Sequence, residues 1–90
     1  MTLHDDLLPR LAHGMRLQWE AVQGCHVLLY PEGMVKLNRS AGEILQRCDG
    51  QTPLAQVVAR LESAFGRPGL REEIERFLEL AAQQRWITLS

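Results

Sequence analysis

Ninety residues, 46% of them apolar, suit one small domain that buries about 60% of its unfolded surface, and they leave no room for a substrate domain beside a cofactor domain. Ten Lys and Arg against 11 Asp and Glu give a net charge of −1, which argues against a protein that works by gripping phosphates or by lying on a membrane as a basic helix. The charged fraction of 23% is that of an ordinary globular chain, so disorder is not indicated.

Met1 to His13 is a leader carrying Leu3, Leu7, Leu8 and Leu11, interrupted by Pro9. Its leucines are too regular for a plain tail, and they are expected to dock on the domain or on a second copy of it. With Asp5 and Asp6 and no long apolar run, this end lacks the h-region of a secretory signal, and no stretch approaches the ~20 apolar residues that span a bilayer. Cys25 and Cys48 show no paired spacing. The expectation is a reduced, cytoplasmic protein in which both thiols are small buried hydrophobes.

From Met15 the pattern has period two, Met15, Leu17 and Trp19 alternating with Arg16, Gln18 and Glu20; this predicts a half-buried strand. Gln23-Gly24 marks a turn. The continuous run Val27 to Tyr30 predicts a strand covered on both faces. Tyr30-Pro31-Glu32-Gly33 reads as a type I turn, and Met34 to Leu37 as a third strand, together an antiparallel meander. Ser40 with Glu43 matches a capping box, with Asn38 a competing cap. Ala41, Ile44, Leu45 and Cys48 then share one helix face, and Asp49-Gly50 closes that helix. Thr52-Pro53 predicts the next helix, Thr52 its cap, with Leu54, Val57, Val58, Leu61 and Phe65 as the apolar stripe and a break at Gly66, Pro68 and Gly69. A third helix runs from Leu70 to Gln84 with Ile74, Phe77, Leu78 and Ala81 facing inward. Trp86 to Leu89 is a short strand or a docked tail. The order is three strands, then three helices: an α+β, winged helix-turn-helix-like domain over residues 1–90.

Little of this carries chemistry. Cys25 and His26, neighbours on a strand, point to opposite faces and cannot form a nucleophile–base pair directly. His4, His13, His26 and the cysteines have no metal-ligand spacing, and no glycine pattern matches a phosphate loop. Glu72, Glu75 and Glu79 share a face of the third helix, either as an acid–base or contact surface or as a solvated face supported by Arg76. The same helix could be read as a DNA recognition helix, but its three arginines against four glutamates disfavour that. The third strand is the informative element. It is expected at a sheet edge with Lys36 as its one charge, so either Lys36 keeps the edge soluble or a peptide adds there as a further strand.

Leu28-Leu29-Tyr30-Pro31-Glu32-Gly33-Met34-Val35-Lys36-Leu37-Asn38-Arg39-Ser40-Ala41-Gly42-Glu43-Ile44-Leu45, followed by Cys48-Asp49-Gly50, closely resembles the coenzyme PQQ (pyrroloquinoline quinone) synthesis protein D family, PqqD. Pro9-Arg10-Leu11, Arg16-Leu17-Gln18-Trp19-Glu20 and Trp86-Ile87 are similar as well. The resemblance implies a small recognition element for a ribosomally made, modified peptide. Such a domain binds the precursor peptide PqqA and presents it to the radical SAM enzyme PqqE, which cross-links a Glu and a Tyr of the precursor. It carries no catalytic residue, cofactor or metal of its own. The resemblance further implies that the peptide pairs with Met34, Val35, Lys36 and Leu37, the groove wall being either Ile44 and Leu45 on the first helix or Phe77, Leu80 and Gln84 on the third. Replacing Val35 by Pro is expected to weaken binding if its N–H faces the ligand. The leader and the apolar tail could support a homodimer by exchange of segments. A winged-helix DNA-binding regulator and an accessory enzyme built on the glutamates are the alternatives.

Overall fold

The computed structural model describes residues 3–90; Met1 and Thr2 of the leader lie outside the described residues. Three strands, β2 (Arg16–Glu20), β3 (Cys25–Tyr30) and β4 (Gly33–Lys36), form an antiparallel sheet in the order β2-β3-β4. They precede α1 (Arg39–Gln46), α2 (Leu54–Phe65) and α3 (Arg71–Gln83), so the α+β class and the strands-then-helices order expected from the sequence are observed. The continuous apolar run of β3 makes it the central strand: Val27 and Leu28 point to opposite faces and both are fully buried. Tyr30 pairs with Gly33 across the turn residues Pro31 and Glu32.

The core forms where the helical stripes meet the inner face of this sheet. Leu28 of β3, Leu45 of α1, Leu54, Val57 and Leu61 of α2, and Leu78 of α3 are all at most 1% exposed. Each buried leucine contributes about 1.5–3 kcal/mol of transfer free energy. Cys48 joins this cluster, whereas Cys25 is only half-buried, because it sits at the start of β3 beside the exposed Ala21–Gly24 loop.

The leader is part of the fold. Pro9–Leu11 is a strand, β1, that pairs antiparallel with β5 (Ile87–Leu89), the terminal apolar segment. Leader and tail therefore dock on each other within one chain, and Leu3 and Pro9 are buried. The pairing also explains two local departures. Thr52 does not cap α2; its hydroxyl donates to the Asp49 carboxylate. Instead the N–H groups of Leu54 and Ala55 donate to the leader carbonyls of Leu7 and Asp5, at 2.8 and 3.1 Å. The orphan donors of the helix start are thus met by backbone that is distant in sequence. Gly50 takes a left-handed φ of 76°, but not to close α1, which ends at Gln46. Its N–H donates to the Pro9 carbonyl, and a Cβ there would lie 3.1 Å from Arg10.

Between the two alternatives for the start of α1, Asn38 is the cap. Its Oδ1 accepts the Ala41 N–H at 2.8 Å, while Glu43 pairs forward with Arg47 rather than back with a Ser40 cap. Gly42 lies against β3: a Cβ there would be 2.7 Å from His26 Nδ1 and 3.1 Å from His26 Cβ. Gly42→Ala should therefore lower stability by about 1–3 kcal/mol, the range for overpacking, read as a lower urea midpoint. Asp49 offers a second check. Its carboxylate accepts the N–H of Gln51, the hydroxyl of Thr52 and the N–H of Thr52, which hold its pKa below the usual 3.8. A depressed carboxylate stabilises fully above its unfolded pKa and loses that contribution as pH falls through the lower folded value. Asp49→Ala should be less stable than wild type at neutral pH, and the difference should shrink as pH drops below 3.8.

Candidate functional site

The hydrogen-bonding parity of β4 follows from one contact beyond its end. Leu37 N–H donates to the His26 carbonyl at 3.0 Å, so His26 and Leu37 are a hydrogen-bonded pair. Antiparallel pairs alternate. With Leu28 opposite Val35 and Tyr30 opposite Gly33, the N–H and C=O of Gly33, Val35 and Leu37 turn inward to β3, and those of Met34 and Lys36 turn outward. Among the described residues no strand pairs with that outer side. The side chains alternate too: Leu37 is buried and Val35 half-buried against the core, whereas Met34 is 50% exposed and Lys36 is exposed. The expectation attached to Val35→Pro is therefore corrected. Its N–H holds the sheet together, and the outward donors are those of Met34 and Lys36.

Two clefts mark the surroundings of the two ends of α3. One, of about 230 Å³, is lined by Ser40 and Ile44 of α1, by Phe65 and Arg67, and by Leu70, Glu73 and Ile74 at the start of α3. The other, of about 450 Å³, is lined by Met15, by Tyr30, Pro31 and Glu32 of the hairpin that opens β4, and by Gln84, Arg85 and Trp86 after α3. The start of α3 thus lies by α1, and the segment that follows α3 lies by the hairpin that opens β4. Glu73, Phe77, Leu80 and Gln84, spaced i, i+4, i+7 and i+11, form one stripe that joins the two clefts. Phe77 is half-buried and Leu80 is 48% exposed.

The structure accordingly separates the candidate wall residues. Phe77, Leu80 and Gln84 fall together on the accessible stripe. Ile44 is buried yet borders the first cleft. Leu45 is 1% exposed and belongs to the core, because the inner face of an eight-residue helix leaves little room for a ligand-facing neighbour. Glu73 is not among the site residues expected from the sequence, and Phe65 and Tyr30 to Glu32 are read there only as an apolar stripe residue and a turn. Only the helical spacing of Glu73 to Phe77 carried a local signal; the others are brought to the clefts by tertiary packing.

The glutamates of α3 do not act together. Glu75 is buried and accepts from Arg71 Nε at 2.8 Å, and the same guanidinium donates to the Leu3 carbonyl and pairs with Asp5. Glu72 pairs with Arg76. These pairs also occupy two of the arginines that a DNA recognition helix would need. Among the described residues no group of three or more His, Cys, Asp or Glu could hold a metal ion, and no helix is long and apolar enough to cross a membrane.

The comparisons with known proteins point one way. The family model described as coenzyme PQQ synthesis protein D (PqqD) matches residues 25–87. The chain belongs to the PqqD family. A PqqA binding protein of Pseudomonas aeruginosa (strain UCBPP-PA14) is 55% identical over 85 residues, covering 93% of this chain and 92% of the relative. One from Azotobacter vinelandii is 51% identical over 89 residues, covering 98% and 95%. The solution NMR structure of the PqqD truncation of Methylobacterium extorquens PqqCD, described as a functional and stand-alone recognition element for ribosomally synthesised and post-translationally modified peptides, superposes with a TM-score of 0.68. It is 32% identical and covers 89% of this chain and 87% of that one. The PqqD match includes β3, β4 and all three helices, hence the stripe and, apart from Met15, the lining of both clefts.

Neither cysteine lines either cleft. Burial, reinforced by the neighbouring Asp49 charge, pushes the Cys48 thiol up to about 12, and its Sγ–H donates to the Ile44 carbonyl. A thiol reagent at neutral pH should label Cys25 in the folded protein and reach Cys48 only in denaturant.

Proposed function

We propose that this PqqD protein is a non-catalytic adaptor of PQQ biosynthesis. It takes the precursor peptide PqqA as an added strand on the outer edge of β4 and presents it to the radical SAM enzyme PqqE in the cytoplasm. The observation that carries this reading is the open outer side of β4. Met34 and Lys36 aim their backbone donors and acceptors outward, and the accessible Phe77–Leu80–Gln84 stripe of α3 ends at the cleft lined by the hairpin that opens β4. Main-chain bonds would supply affinity irrespective of sequence, and apolar contacts on the α3 stripe would select side chains and offset the cost of ordering the peptide. In this reading Val35 and Leu37 act indirectly, by anchoring β4 to the core, and Ile44 forms the floor of one end. The relatives named PqqA binding protein support the ligand. Nothing favours DNA, since the basic side chains of α3 are engaged by glutamates.

Isothermal titration of the full chain with its own organism's PqqA peptide tests the proposal. Binding should be saturable and should survive moderate salt, whereas phosphate contacts would weaken steeply. Leu80→Asp should weaken binding at least tenfold while the fold is kept. Lys36→Pro should bind about 5–10-fold more weakly than Lys36→Ala, the worth of one main-chain hydrogen bond. Unchanged affinity in both folded variants would remove the β4–α3 groove from consideration.

A further inference from the structure

α2 and α3 end in the same motif, with one difference. After α2, Gly66 N–H donates to Ser63 C=O and Arg67 N–H to Glu62 C=O, and Gly66 takes the left-handed φ of 65° that this closure requires. After α3, Arg85 N–H donates to Ala82 C=O and Trp86 N–H to Ala81 C=O, and the left-handed residue is Arg85, with φ 63°. Among the described residues it is the one non-glycine at positive φ. Glycine adopts this conformation without strain, and a residue with a Cβ does not. An arginine is therefore kept where the fold prefers glycine, and such positions concentrate at binding sites.

Its location gives the reason a use. Arg85 lines the hairpin-end cleft together with Gln84, Trp86, Met15, Tyr30, Pro31 and Glu32. Arg47, Arg67, Arg71 and Arg76 are each paired with a carboxylate, whereas Arg85, like Arg10, Arg16 and Arg39, makes no ion pair or side-chain hydrogen bond among the described residues; of these four, Arg85 is the one that lines this cleft, and it does not pair even with Glu32 there. We infer that Arg85 is a specificity-determining residue that binds a carboxylate of the peptide at the hairpin end of the groove. This deepens the peptide-adaptor reading and rests on it. A guanidinium presents a planar fork that matches a carboxylate with two parallel hydrogen bonds, which a lysine cannot reproduce. The Gln84 amide on the same rim can donate a further bond. The carboxylate comes from an Asp or Glu side chain of the peptide or from its C-terminus.

Arg85→Gly provides a test that a merely structural role would fail. The variant should unfold at a higher urea concentration than wild type, because strain is relieved, and yet bind the PqqA peptide about tenfold more weakly. Arg85→Lys should fall between the two in affinity. Glu32→Gln, which removes a competing acid from the opposite wall, should bind as well as wild type or better. A PqqA peptide with a C-terminal amide, and peptides with single Glu→Gln or Asp→Asn changes, identify the source: the modification that costs wild type its tenfold should cost Arg85→Gly nothing further. Wild-type binding with equal affinity in Arg85→Gly overturns the inference and leaves the groove intact. Weaker binding in Glu32→Gln also overturns it, since the cleft would then take a cation. No binding by wild type overturns the peptide-adaptor reading and this inference with it.

Discussion

The fold depends on backbone groups of the leader reaching the start of α2. The carbonyls of Leu7 and Asp5 take the first N–H groups of that helix, the Pro9 carbonyl takes the N–H of Gly50, and β1 zips to β5. Arg71 adds a side-chain clasp, binding Leu3, Asp5 and the buried Glu75 at once. A carboxylate as enclosed as Glu75 is tolerable only because the guanidinium sits against it, and removing one partner of such a pair leaves an uncompensated charge. Segments some seventy residues apart are thus mutually required. In a chain of 90 residues, with a single modest core, such long-range ties are a substantial share of what separates the folded state from the unfolded one.

With the leader and tail closed on each other, the sheet β2-β3-β4 keeps its outer side open. Exposed strand edges invite unwanted pairing, and proteins usually blunt them. Here β4 is only four residues long and carries Lys36, which limits casual association. Its pleat gives Val35 and Leu37 to the core and leaves Met34 and Lys36 to face outward. Core-facing and outward-facing residues thereby alternate along one strand, so substitution at Met34 or Lys36 need not disturb packing.

Much of this was legible in the sequence. Period two located β2, the continuous apolar run located the central strand, and i, i+3, i+4 spacing gave the inner faces of all three helices, because burial imposes those patterns directly. What escaped was set by contacts between distant segments. Pro9–Leu11 has no strand pattern of its own and becomes β1 by pairing with β5. Thr52 has every local attribute of a cap, yet distant carbonyls do its work. Membership of the edge was legible for β4, but which of its N–H groups face outward was not, since parity is fixed by the register with β3. The left-handed backbone of Arg85 had no local signal at all, for the residue type argues against it.

The docking of leader on tail has a consequence for tethering. The N–H of Leu8 donates to the carbonyl of Ser90, so Ser90 is held against the leader, beside a sheet separate from the one that bears β4. A linker joined after Ser90 would therefore start from a point fixed to the folded domain. The effective concentration of anything tethered there, as felt by the domain, would then be governed by the length and stiffness of the linker.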